Sequence, residues 1–236
     1  MKTEKRKILY FEELSSTNDY AKTLLRDKEN VFIIAKKQTG GRGTKGRAFD
    51  SSEGGIYLTS LTFYADFPAK DAFLIMARTA VAVCKTLEEF SLSPVIKWAN
   101  DVYVSNKKIC GILIENVFLG NRISSSIVGV GLNVNNALPD SLREIATTMR
   151  QELVREEDVK KVEETLLKYL LEPFTMEEYT KRIGYLNQPL MLTMNEKIFP
   201  ALALRVEEDG GLIVLMDGEE KKVYSGEVSL SVRTGK

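Results

Sequence analysis

Gly40-Gly41-Arg42-Gly43-Thr44-Lys45-Gly46-Arg47-Ala48-Phe49 follows a short apolar run, Val31–Ala35, and leads into a longer one, Ile56–Phe63. Both flanking runs read as strands, from their β-branched and aromatic content. Phosphate loops that open a helix are therefore excluded. A GxGxxG turn needs a long helix after it, and GxxxxGK[ST] is absent. What the stretch does hold is three cations, Arg42, Lys45 and Arg47, separated by glycines. Glycine lets backbone N–H groups come close to an anion. Arg and Lys add charge-assisted hydrogen bonds to phosphate or carboxylate oxygens. The plain alternatives are a solvated turn or an RGG-like nucleic-acid segment. Interleaved aromatics and a basic surface, which nucleic-acid binding calls for, are missing.

The charge balance sharpens this reading. The 236 residues carry 33 Lys+Arg against 33 Asp+Glu, so the cationic loop is a local device for one small polyanion. Histidine is absent altogether. That removes Ser-His-Asp and Cys-His nucleophiles and His-ligated zinc. Cys84 and Cys110 lack metal-ligand spacing and sit in apolar runs, as buried small hydrophobes do. No apolar run reaches membrane-spanning length and the N-terminus lacks a signal-peptide core, so a cytoplasmic protein with no membrane partner is expected.

Outward from the loop, Lys7–Phe11 reads as a first strand and Ser16 as the N-cap of a helix carrying Ala21, Leu24 and Leu25. Helical spacing runs over Ala69–Phe90. Pro94–Asp101 is a strand running into a turn. Val102–Val104 and Ile109–Val117 form a hairpin about Ser105-Asn106-Lys107. Ile123–Val130 is a further strand, and Ser141–Leu153, Glu157–Leu171 and Met176–Arg182 carry helical patterns. After about Asn187 five short strands alternate with turns such as Asn195-Glu196, Asp209-Gly210 and Asp217-Gly218, a small β-barrel behind an α/β domain.

Lys108 begins the run Ile109-Cys110-Gly111-Ile112-Leu113-Ile114-Glu115. Strict alternation places Lys108 with Cys110, Ile112 and Ile114, at the mouth of a strand apolar on both faces. A desolvated ammonium there attracts an anion, whereas Lys107 reads as an ordinary hairpin lysine. Gly111 inside the strand signals close approach of a ligand or backbone. Lys97-Trp98-Ala99-Asn100-Asp101 and Gly129-Val130-Gly131-Leu132-Asn133 end two more strands, where α/β sheets place ligands. Taken singly, Trp98 is as well explained by the core, and Asn100-Asp101 and the glycines by turns.

In order and spacing these motifs resemble the biotin protein ligases. The family's GRGRxGRxW occurs as Gly41–Phe49, KWPNDI/L as Lys97–Val102, KxxGILxE as Lys108–Glu115 and GxGxN as Gly129–Asn133. STN occurs as Ser16-Thr17-Asn18, and a GGEISL-like ending as Ser225–Leu230. The resemblance covers essentially the whole chain. It implies an α/β (α+β) mixed-sheet, class II synthetase-like catalytic domain over residues 1–186 and an SH3-like β-barrel over 187–236. It also implies activation of biotin by Mg2+ and ATP to biotinyl-5′-AMP, then transfer to one lysine of apo biotin carboxyl carrier protein.

On the same resemblance, Arg42, Lys45 and Lys108 are the catalytic cations, and Asp101 orients or deprotonates the incoming lysine. Ser16, Thr17, Asn18 and Gln38 bond the ureido ring. Gly41, Gly43, Thr44 and Arg47 belong to the loop over the adenylate. Gly111, Gly129 and Gly131 let the backbone approach biotin. Asn133 approaches adenine, while Asn100 and Trp98 lie at the nucleotide, Asn100 near its magnesium; no side chain is expected to be a dedicated metal ligand. Glu227 is a further candidate contact. Thr44 departs from the arginine many members carry, Phe49 from Trp, and Ala99 from Pro. The catalytic domain starts within the first dozen residues, so a ligase without DNA binding is expected. A lipoate–protein ligase and a non-catalytic biotin-binding module are the competing readings.

Overall fold

The computed structural model describes residues 6–194, 196–225 and 228–232. Asn195 and the candidate Glu227, with Gly226 beside it, lie outside the described residues, as does the side chain of Lys45. The chain runs β1 (Lys7–Leu14), α1 (Thr17–Thr23), β2 (Val31–Gln38), β3 (Ile56–Pro68), α2 (Phe73–Glu89), β4 (Val95–Lys97), β5 (Asp101–Val104), β6 (Lys107–Leu119) and β7 (Arg122–Leu132). Then follow α3 (Met149–Leu153), α4 (Val159–Leu171), α5 (Met176–Lys181), β8 (Pro189–Met194), β9 (Lys197–Val206), β10 (Leu212–Met216), β11 (Glu219–Val223) and β12 (Val228–Val232).

The first seven strands form one mixed sheet in the order β1-β2-β3-β7-β6-β5-β4. Only β1 and β2 pair in parallel, with α1 as the crossover; the remaining ladders are antiparallel. Alternation in β2 shows how the two faces are used. Phe32 and Ile34 join Leu58, Val128 and Val130 in the larger core, together with α2 and α4. Val31 and Ile33 join Leu61, Ile127 and Ala21 of α1 in a smaller one. A helix of seven residues covers only part of that second face, so the centre of the sheet is left open beside it.

The five later strands form a second sheet, β11-β10-β9-β8-β12. Among the described residues no ladder joins its two ends, so a closed barrel is not seen. Its Leu190, Leu192, Ala203 and Val214 belong to the same apolar cluster as Ile96 and Trp98 of the first sheet.

Two expectations need correction. The periodicity over Ser141–Leu153 is not one helix. A short 3-10 turn spans Asp140–Leu142, and an extended segment bonds β6: Lys108 N–H donates to Ile145 O (2.9 Å) and Thr147 N–H to Lys108 O (2.9 Å). Only then does α3 begin, on a capping box of Thr148 and Gln151. An open backbone edge at Lys108 outcompeted local helix propensity. Lys108 also faces the other way from strict alternation. The β5–β6 ladder shifts register after Val102, which pairs with Cys110, so that Tyr103 pairs with Lys108 and Ile109 is the extra residue. This bulge buries Ile109 beside Cys110 and turns Lys108 onto the face of Gly111.

Candidate functional site

Cross-strand register lays out the open face in rows. Tyr57, Gly131, Gly111, Asp101 and Lys97 stand opposite one another across β3, β7, β6, β5 and β4. Thr59, Gly129 and Leu113 form the next row, and Leu61, Ile127 and Glu115 the one after. The three glycines make a trough in an otherwise filled surface. A Cβ on Gly131 would lie 2.5 Å from Phe49 Cε1, and one on Gly129 would overlap Asn18 Oδ1.

One end of the trough is a wall of neutral polar groups at the start of α1. Ser16 caps that helix, its hydroxyl accepting from Asp19 N–H at 3.4 Å. Gln38 Oε1 accepts from Thr17 N–H (2.8 Å) and from the Thr17 hydroxyl (3.0 Å), and Gln38 Nε2 donates to Ser51 Oγ (2.9 Å). Thr59 Oγ1 lies 2.8 Å from Thr17 Oγ1 and 2.7 Å from Asn18 Oδ1. Asn18 Nδ2 then donates to Glu115 Oε2 at 3.0 Å. These residues come from five separated segments, yet each amide and hydroxyl fixes the next. Such a network presents donors and acceptors in fixed positions.

Two cations stand on the trough, each held by acid. Arg42 Nη2 lies 2.5 Å from Asp19 Oδ1 and 3.5 Å from Glu115 Oε2, and Lys22 bridges the same two carboxylates. Burial raises the Glu115 pKa, but hydrogen bonds from Lys22 and Asn18 and the charges of Lys22 and Arg42 outweigh it and hold the carboxyl below its ordinary value. Lys108 Nζ lies 2.8 Å from Asp101 Oδ1 and 5.9 Å from the centre of the Phe49 ring. Asn100 Nδ2 donates to Asp101 Oδ1 (3.1 Å) and to Ile112 O (3.1 Å), which locks the turn. Arg42 is thus held at the Glu115 row and Lys108 at the Asp101 row, four residues of β6 apart, roughly 13 Å at strand spacing.

The glycine-rich loop closes over the trough as a small hairpin. Arg42 bridges to Ala48, Gly43 N–H donates to Arg47 O (2.7 Å), and Phe49 N–H to Gly41 O (2.9 Å). Gly46 takes φ +73° in the turn, where an L side chain is strained. Gly43, Thr44, Asn100, Gly111, Gly129 and Gly131 line the trough with the residues already named. Arg47 and Asn133 border an adjoining lobe that also holds Lys97, Tyr103 and Lys108. Asn133 is buried there, its amide donating to Thr147 O at 3.1 Å. Gly41 packs under the Phe49 carbonyl and Ser51.

Trp98 is the expected site residue that the structure places elsewhere. It is 6% exposed, borders neither lobe, and its indole N–H donates to Gly210 O at 2.9 Å. Conversely, the sequence reading assigns no site role to Thr59, Asp19 or Glu115, although Glu115 closes the motif that begins at Lys108. For Glu115 a signal existed, since it continues the alternation Gly111, Leu113, Glu115. For Thr59 and Asp19 the partners are remote in sequence. Among the described residues no three acidic or thiol side chains converge to cage a metal, and no helix is long and apolar enough to cross a membrane.

Comparison with known proteins agrees with this layout. The family model described as the biotin/lipoate A/B protein ligase family matches residues 10–133. The bifunctional ligase/repressor BirA of Bacillus subtilis is 32% identical, covering 94% of this chain and 74% of its own length. Its Escherichia coli namesake is 26% identical over 92% of this chain and 72% of its own. Among solved structures, the biotin protein ligase of Aquifex aeolicus in complex with biotin and ATP superposes with a TM-score of 0.77 at 27% identity, covering 96% of this chain and 99% of that one. The sheet, the trough and these relatives lead to one conclusion: the chain belongs to the biotin/lipoate A/B protein ligase family.

Proposed function

We propose that this chain is a biotin–protein ligase. It joins the biotin carboxylate to the α-phosphate of ATP, releasing pyrophosphate, and passes the biotinyl group of biotinyl-5′-AMP to a lysine of apo biotin carboxyl carrier protein. The observation that carries this reading is the trough itself: a glycine floor, a neutral polar wall at one end, and two acid-held cations along it. A ureido ring needs neutral donors and acceptors, which Thr17, Asn18, Gln38 and Thr59 supply. A flat bicyclic ring needs the depth that Gly111, Gly129 and Gly131 leave.

Two anions, carboxylate and phosphate, must meet for the first step. Lys108 and Arg42 neutralise both, and the rest is positioning. The carboxylate oxygen bonds to the α-phosphorus as the bond to the bridging oxygen breaks. Arg42 leaves Asp19 to reach that centre, carried by the glycine-rich loop with Lys45 and Arg47. In the second step the carrier lysine attacks the acyl carbon and AMP leaves; Asp101, fixed by Lys108 and Asn100, orients that amine. Mg2+ accompanies ATP and offsets phosphate charge. Asn100, held against Asp101 and Ile112 O, would stand near that magnesium. The second sheet takes the part of the family's SH3-like domain, over 187–236, and the enzyme works in the cytoplasm with its ATP and carrier.

Pyrophosphate exchange into ATP tests the reading. Biotin-dependent exchange in the purified chain, abolished in Lys108→Ala, is expected. Exchange with lipoate alone would move the chain to the lipoate ligases. Tight biotin binding without exchange would leave a binding module.

A further inference from the structure

We infer that Lys97 is a further cation of the adenylation centre and holds the pyrophosphate end of ATP as it departs. The inference rests on the ligase reading above. Lys97 ends the row Tyr57, Gly131, Gly111, Asp101, so its side chain rises on the same face as the trough and faces Asp101 across the β4–β5 ladder. It borders the adjoining lobe together with Tyr103, Asp101, Lys108 and Arg47.

Its surroundings differ from those of its neighbours. Lys22, Arg42 and Lys108 are each within ion-pairing distance of a carboxylate. Among the described residues Lys97 forms no ion pair. Its Nζ lies 3.4 Å from the Tyr103 hydroxyl and 5.1 Å from the centre of that ring. Partial burial lowers the Lys97 pKa, the charges of Lys108 and Arg47 act in the same sense, and Asp101 opposes them. A half-desolvated ammonium with no carboxylate at ion-pairing distance among the described residues, and with the charges of Lys108 and Arg47 against it, gains strongly when a polyanion arrives. Tyr103 holds the ammonium in place without neutralising it.

The chemistry supplies that polyanion. As the carboxylate–phosphorus bond forms, the bond from the α-phosphorus to the bridging oxygen breaks and its electron pair stays on pyrophosphate. Negative charge therefore grows at the β-phosphate, one group beyond the atoms that Lys108 attends. A fixed cation there stabilises the departing group more than the bound triphosphate. It has no part in the second half-reaction, which involves no pyrophosphate.

The test separates the two half-reactions in the full chain, using wild type, Lys97→Met and Lys97→Arg. In biotin-dependent exchange, Lys97→Met is expected to raise the KM for pyrophosphate by about tenfold or more, the loss of one charge-assisted contact. Lys97→Arg is expected to restore most of it. Transfer from supplied biotinyl-5′-AMP to apo carrier should stay within about twofold of wild type in both, because no phosphate contact of Lys97 enters that step. A pyrophosphate KM unchanged in Lys97→Met would overturn the inference. So would equal slowing of both half-reactions, which is what a purely structural lysine gives. If wild type showed no biotin-dependent exchange, the ligase reading itself would fall, a result distinct from either.

Discussion

Gly131 stands directly opposite Gly111 in the β6–β7 ladder, and the ring of Phe49 lies over both. Two facing residues without side chains, in the middle of a seven-stranded sheet, sacrifice packing where a sheet is otherwise most completely filled. The loop that carries Arg42 also carries Phe49, so the aromatic ring and the cation are held by one small hairpin.

Gly131→Ala places a methyl group 2.5 Å from Phe49 Cε1 and raises the floor of the trough. Affinity for biotin, measured by calorimetry, should fall by about tenfold or more, while global stability changes by no more than about 1–3 kcal/mol as the ring shifts.

In the proposed first step Arg42 leaves Asp19 for the centre at Lys108, and the exposed Arg42–Asp19 pair costs little to break. Asp19→Asn should therefore lower the KM for ATP in the exchange assay, by at most about fivefold, the equivalent of about 1 kcal/mol. A raised KM would mean that the Asp19 contact already holds Arg42 in its working position.

Glu115 gives a pH signature. Its carboxyl is depressed in the folded chain, since the bonds and charges of Lys22, Asn18 and Arg42 outweigh burial. A depressed carboxyl adds stability above its unfolded value, and that stability is lost as pH falls through the folded value. The urea midpoint of wild type should thus decline below about pH 4.5 more steeply than that of Glu115→Gln. Parallel curves for the two proteins would show that the carboxylate's partners contribute nothing to folding.

Trp98→Phe removes the indole bond to Gly210 O and leaves a buried carbonyl short of a donor. A loss of about 1–2 kcal/mol in urea unfolding is expected. Biotin affinity should be unchanged, because the indole borders neither lobe of the cleft.

Much of this arrangement is legible in the sequence where the cause is local. Ser16 reads as a cap and is one. The glycines at Gly111, Gly129 and Gly131 signal close approach, and the register places them side by side. What escapes is whatever depends on a distant strand. Lys108 faces the trough only because the β5–β6 register shifts at Ile109. The Ser141–Leu153 pattern fails as one helix because Ile145 and Thr147 bond the Lys108 backbone instead. Trp98 sits in a binding motif yet serves the core, because the partner it meets, Gly210, is 112 residues away. Gln38 and Thr59 meet Thr17 only through the pairing of the strands that carry them.

The apolar interior shared by Ile96 and Trp98 with Leu190, Leu192 and Val214 has a thermodynamic consequence. Neither sheet can melt alone without wetting the other's inner surface. Heating should therefore give one cooperative transition, reported equally by calorimetry and by the emission of the single tryptophan at the seam. A fragment cut before β8 would expose that oily seam and be driven to aggregate.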